Sequence, residues 1–127
     1  MIVLDTHVWL WWISSPEKLA PDAAQAISEA MQENGIVISS ISAWELALLV
    51  EKGRLSLSIA VQDWVRKTES LPFVRFAPID NTIALRSVAL PADPADRIIA
   101  ATALVMGLPL VTKDEKLRSC PTLRTIW

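Results

Sequence analysis

The chain carries one histidine, one cysteine and no tyrosine, so side-chain chemistry falls first to carboxylates. Several stand where structural elements should begin or end. Asp5 closes the apolar run Ile2-Val3-Leu4, and Asp114 lies two residues past Leu110-Val111-Thr112. Both are expected at the carboxyl ends of parallel strands, where open α/β sheets bind ligands. Glu45 and Asp96 each fall, on the sequence, in the first turn of a helix. If these ends meet, four carboxylates converge and raise one another's pKa unless a cation compensates. All-oxygen ligation favours Mg²⁺ or Mn²⁺, and a single His and a single Cys remove the usual zinc ligands. Mg²⁺ is held by a few carboxylates together with substrate phosphate oxygens. The chemistry of such a pocket would be phosphodiester hydrolysis by a metal-activated water.

Each acid also has a structural role open to it. Ser42-Ala43-Trp44-Glu45 has the spacing of a capping box, with the Ser42 hydroxyl capping a helix and Glu45 reaching back to the Ser42 N–H. Asp93-Pro94-Ala95-Asp96 places Asp93 as an N-cap, Pro94 at the first helical position and Asp96 at the third. Asp5, flush against a buried strand, has no cap to make unless it serves the next helix.

The elements that must position these acids follow from periodicity. Short β-branched runs (1–4, 36–39, 73–79, 110–112 and 123–126) alternate with helical segments at 8–13, 21–33, 43–52, 58–69, 81–89 and 94–106. This alternation predicts an α/β sandwich with a mostly parallel sheet. Residues 21–33 place Ala23, Ala26, Ile27, Ala30 and Met31 on one stripe, whereas 98–108 is apolar nearly all round and should be buried on several sides. Gly35, Gly53 and Gly107 each follow a helical segment and read as left-handed C-terminal caps. That leaves no glycine for a GxGxxG or GxxxxGK[ST] phosphate loop.

Composition narrows the class further. The 127 residues, 52% of them apolar, suit one domain over 1–127 able to bury a core without disulfide or structural metal. Cys120 has no partner for an internal bridge, and a cytoplasmic location is expected. The longest uncharged stretch, Ile98 to Thr112, is 15 residues, short of the ~20 a membrane span needs. Asp5 interrupts the first apolar run and no basic region precedes it, unlike a secretory signal. A net charge of −2 argues against a protein that coats nucleic acid, but the charge is uneven. Residues 1–51 hold one base and seven acids, and residues 52–127 hold eleven bases and seven acids, so a polyanion should draw its cations from the second half.

Taken together, these motifs resemble the PIN-domain ribonucleases, and in particular the VapC-type toxins of toxin–antitoxin modules. The matching segments are Ile2-Val3-Leu4-Asp5-Thr6-His7, Ser42-Ala43-Trp44-Glu45-Leu46-Ala47, the run from Asp93-Pro94-Ala95-Asp96-Arg97 to Ala103, and Leu110-Val111-Thr112-Lys113-Asp114. They occur in the family's order along essentially the whole chain. The resemblance implies a three-layer PIN-like sandwich, its central, mostly parallel sheet of four or five strands flanked by helices. It implies Asp5, Glu45, Asp96 and Asp114 as an acidic quartet holding Mg²⁺ or Mn²⁺, and RNA cleavage that leaves a 5′-phosphate on the downstream fragment. Thr112 matches a position where a hydroxyl lines the site. A homodimer neutralised by a small antitoxin is implied as well. The chain departs from the family's usual pattern at Pro91-Ala92 and at Ala95, where bulkier polar or aromatic residues are common.

Other residues complete the expectation. Thr6, Asp93 and Arg97 are candidate auxiliaries, Arg97 either holding phosphate or pairing with Asp93 or Glu45. Lys113, Lys116 and Arg118 flank Asp114 as candidate RNA-backbone contacts. His7 reads as structural. Trp9, Trp11 and Trp12 cannot all face one core, so at least one is expected at a surface, in a partner contact or a base-stacking platform. Two other classes stand beside the toxin: a non-catalytic RNA- or protein-binding module, against which the intact quartet speaks, and an aspartate-dependent phosphatase. The latter would want a second Asp where His7 stands.

Overall fold

The computed structural model describes residues 1–127. Five strands, β1 (Ile2–Leu4), β2 (Ile36–Ser39), β3 (Val74–Ala77), β4 (Leu110–Val111) and β5 (Thr125–Ile126), form one sheet. Every pairing in it is parallel, in the order β3-β2-β1-β4-β5. The helices are α1 (Thr6–Ser14), α2 (Pro21–Gln32), α3 (Ser40–Glu51), α4 (Val61–Glu69), α5 (Asn81–Ser87), α6 (Pro94–Met106) and α7 (Glu115–Arg118). This is the α/β sandwich expected, with the upper of the two strand counts.

The two-residue period of the strands sorts their side chains to opposite faces. Ile2, Leu4, Ile36, Ile38 and Val111 pack beneath α1 to α4 with Val8, Trp9, Ile27, Leu46 and Trp64. Val3, Val37, Ala77 and Leu110 face α5 and α6 with Ile83, Ile99, Ala100 and Ala103. The apolar stretch after Asp96 is accordingly buried along most of α6. The chain winds outward from β1 to β2 and β3, then crosses back to β4 on the other side of β1. Helices therefore leave to opposite faces on either side of the β1/β4 junction, which opens a crevice at the carboxyl ends of those two strands.

The three tryptophans of α1 separate. Trp9 is fully buried, with ring centroids 5.0 Å from Trp64 and 5.5 Å from Phe76, and its Nε1–H donates to Thr68 Oγ1 at 3.2 Å. Trp12 lies against Phe73, and Trp11 turns toward the crevice, between His7 and Trp127. Only Gly53 and Gly107 take positive φ among the glycines. At the end of α2 it is Asn34 (φ 55°) that turns left-handed, a conformation Asn tolerates. Gly35 serves a close approach instead: a Cβ there would stand 3.0 Å from the Met1 Cα, beside the bond from the Ile2 N–H to the Gly35 carbonyl.

Candidate active site

A cavity of about 520 Å³ occupies the crevice. Its wall contains Asp5, Glu45, Asp93, Asp96 and Asp114, so five carboxylates meet there, with Lys113 among them. Asp5 follows β1 directly and ends as the N-cap of α1. Its Oδ1 accepts the Thr6 N–H at 2.7 Å and its Oδ2 accepts the Thr112 hydroxyl at 2.7 Å. The same Thr112 oxygen accepts the Asp114 N–H at 3.0 Å, so one hydroxyl joins the end of β1 to the end of β4. Asp114 caps α7 through the Leu117 N–H at 3.0 Å. α7, four residues long, is not among the helical segments expected from sequence.

A second threonine does the corresponding work for Glu45. Thr6 Oγ1 donates to Glu45 Oε1 at 2.5 Å and lies 2.8 Å from Ser42 Oγ. Since the Thr6 proton goes to Glu45, the Ser42 hydroxyl donates to Thr6. Ser42 is buried within α3, and the N-cap is Ser39, whose Oγ accepts the Ile41 N–H at 3.2 Å. The expected Ser42/Glu45 capping box is therefore not formed. α3 begins straight from β2, which places Glu45 in its second turn, half-buried and aimed at the crevice rather than back at the helix end.

Asp96 stands in the first turn of α6, as expected. Asp93 occupies the N-cap position with extended backbone (φ −65°, ψ 156°), but its carboxylate makes no capping hydrogen bond and lines the cavity. The Pro94 ring removes one N–H from the helix end, which lessens what a cap has to satisfy.

Like charges and burial together set the proton affinity of the site. Burial pushes Asp96 up to about 7, helped by the charges of Asp5, Glu45, Asp114 and Asp93. Asp5 is raised by burial as well, although the bonds from Thr112 and the Thr6 N–H oppose it. Glu45 is raised by burial and by Asp5, against the Thr6 hydroxyl. The donor set is all oxygen and short of positive charge, which suits a hard divalent cation. Asp5, Glu45 and Asp114 are each held by hydrogen bonds, and no three His, Cys, Asp or Glu side chains are drawn together in an arrangement ready to hold a metal ion.

The remaining candidates divide. Lys113 lines the acidic cavity with its Nζ 5.8 Å from the Trp11 ring centroid. Trp11 itself is 5.9 Å from His7 and 5.9 Å from Trp127, and both His7 and Trp11 line the cavity. His7 is thus an exposed wall residue rather than a structural one, a placement implied by its i, i+4 spacing to Trp11 on α1. Arg97 pairs with neither Asp93 nor Glu45. Its Nε donates to the Ala92 carbonyl at 2.6 Å, and it faces a neighbouring cavity that Lys116 also lines. Arg118 lines neither cavity.

A family model described as PIN domain matches residues 2–122. Ribonuclease VapC22 of Mycobacterium tuberculosis is 41% identical over 132 residues, covering 99% of this chain and 98% of that protein. Among solved structures, VapBC2 from Rickettsia felis bound to a DNA fragment from their promoter superposes with a TM-score of 0.72 at 21% identity, over 98% of this chain and 97% of that one. DNA-bound VapBC from Salmonella typhimurium gives 0.68 at 23% identity, over 98% and 95%. These two likenesses show a shared fold.

Proposed function

Because the chain belongs to the PIN-domain family, we propose that it is a Mg²⁺- or Mn²⁺-dependent endoribonuclease, the toxin of a type II toxin–antitoxin module. The observation that carries this reading is the meeting of five carboxylates, two of them braced by threonines, at the β1/β4 junction of a chain 41% identical to a ribonuclease. Asp5, Glu45, Asp96 and Asp114 would hold the cation, with Asp93 at the rim. A bound Mg²⁺ or Mn²⁺ supplies an activated water and neutralises charge developing on the phosphoryl oxygens.

The chain's own residues do the rest. Thr112 fixes the Asp5 carboxylate through Oδ2, and Thr6, backed by Ser42, fixes Glu45 through Oε1. Each threonine thus leaves lone pairs on its acid for another ligand while preventing rotation away from the cavity. Lys113 provides the one lysine in the cavity wall for an incoming phosphodiester, and Trp11 and His7 also line that wall. Hydrolysis would form a bond from water oxygen to phosphorus and break P–O3′, with the proton that water loses balanced by the one O3′ gains, to leave a 5′-phosphate and a 3′-hydroxyl.

An antitoxin partner and a homodimer belong to the same reading. Trp9 is buried and unavailable for either, whereas Trp44, Leu85 and Val88 are 56%, 77% and 72% exposed and supply apolar surface. No helix is long and apolar enough to cross a membrane. The test is incubation of purified protein with total RNA: discrete fragments form with Mg²⁺ or Mn²⁺ and none with EDTA. Undiminished cleavage in excess chelator would refute the proposal. Growth arrest on expression, relieved by the product of an adjacent small frame, tests the toxin role separately.

A further inference from the structure

Of the bases expected around Asp114 and Asp96, Lys113 alone lines the acidic cavity. A second cavity, about 740 Å³, adjoins the acidic one and shares Asp93 with it. Arg97, Lys116, Glu115 and Ser119 line it. Two elements serve both cavities in the same way. α6 turns Asp96 to the acidic cavity and the adjacent Arg97, about 100° further round the helix, to the second. At α7, the N-cap Asp114 faces the acidic cavity and Lys116 faces the second. Each element therefore gives one carboxylate to the first cavity and one cation to its neighbour, where Glu115 of α7 and the shared Asp93 also stand.

Arg97 is prepared for an anion. Its Nε is anchored on the Ala92 carbonyl at 2.6 Å, which fixes the guanidinium plane and leaves the terminal amino groups of the fork for another acceptor. Against five carboxylates the wall of the acidic cavity offers a polyanion only the cation of Lys113, so further attraction must come from cations alongside. We propose that the second cavity is a backbone-phosphate subsite for the RNA substrate, in which Arg97 and Lys116 hold a phosphate flanking the one that is cleaved. Asp93 stands on the ridge the backbone crosses, and its charge keeps the strand from seating wholly in the second cavity. This deepens the ribonuclease reading and rests on it.

The test reads kcat/KM for a single-stranded RNA as KCl is raised from about 50 to about 200 mM. Each phosphate neutralised on a single strand contributes a log–log slope of about −0.7, so the double variant Arg97→Met/Lys116→Met, which releases the one phosphate held there, should lose about 0.7 of the slope and each single variant a part of that. Lys116→Arg, which keeps the charge, should retain the full slope. Arg118→Met, which removes an equal charge from outside both cavities, should retain it too. A double variant with the parental slope, or an Arg118→Met slope that falls as far, would overturn the subsite. Should no metal-dependent cleavage occur, the nuclease reading fails. The same slopes, measured for binding of a fluorescein-labelled single-stranded RNA in Ca²⁺, then decide the subsite by the same two outcomes.

Discussion

Asp5 and Trp9 lie one helical turn apart, joined by the bond from the Trp9 N–H to the Asp5 carbonyl at 3.0 Å, and both are buried. Their surroundings differ completely. Trp9 sits among Trp64 and Phe76 with its indole N–H satisfied, and everything it touches gains from being there. Asp5 faces Glu45, Asp96 and Asp114, and burial raises its proton affinity despite two good hydrogen bonds. No buried side-chain nitrogen or oxygen in the molecule lacks a hydrogen-bond partner, so the cost at Asp5 comes from desolvation and like charge, not from missing bonds. Within one turn of α1, burial stabilises the fold at Trp9 and costs it stability at Asp5.

Substitutions can break this contrast in order of expected effect. Asp96→Asn should reduce RNA cleavage at saturating Mn²⁺ by about 10³-fold or more, as loss of a principal charge-stabilising group does, while raising the melting temperature in EDTA. Trp9→Ala should do the reverse, costing about 3–5 kcal/mol in denaturant melts, with specific activity retained in whatever fraction stays folded. Thr112→Val tests whether the brace matters. It should lower activity about 10- to 100-fold, while Thr112→Ser retains most of it. Asp93→Ala should have the smallest effect on stability, because the carboxylate makes no capping bond; a loss of about 1 kcal/mol in EDTA would show that it caps after all.

Much of this contrast is legible in the sequence, and the gaps have physical causes. Asp5 and Asp114 stand out because strand ends are marked by apolar runs, and Asp96 because Pro94 announces a helix start. Glu45 is identified as a site residue but its context is misjudged. β2 passes into α3 at Ser39 and Ser40 with no turn residue between, and Ser39 and Ser42 are equally plausible caps until tertiary contact with Thr6 claims Ser42. Both braces join residues far apart in sequence, Thr6 with Glu45 and Thr112 with Asp5, so no local spacing reveals them. α7 is too short to show a period. The split of the bases between two cavities depends on how α6 and α7 are rotated, which periodicity leaves open where apolar residues lie all round.

The acidic cavity, as a proposed cation site, should be held under charge repulsion when the cation is absent, and a melting series over pH with and without Mn²⁺ reads that repulsion. Asp96 has a pKa of about 7 in the fold against 3.8 in the unfolded chain, so between those values the native state keeps a proton that the unfolded state has released. Stability in EDTA should therefore fall as the pH rises from about 4 through about 7, with Asp5 and Glu45 shifted in the same direction. Mn²⁺ should reverse the trend by binding the ionised form, giving a stabilisation that grows with pH. In Asp96→Asn the EDTA curve should flatten and the Mn²⁺ response should shrink. A native protein whose melting temperature in EDTA is flat over this range and unmoved by Mn²⁺ at about pH 8, or an Asp96→Asn variant with the same response as the parent, would contradict it.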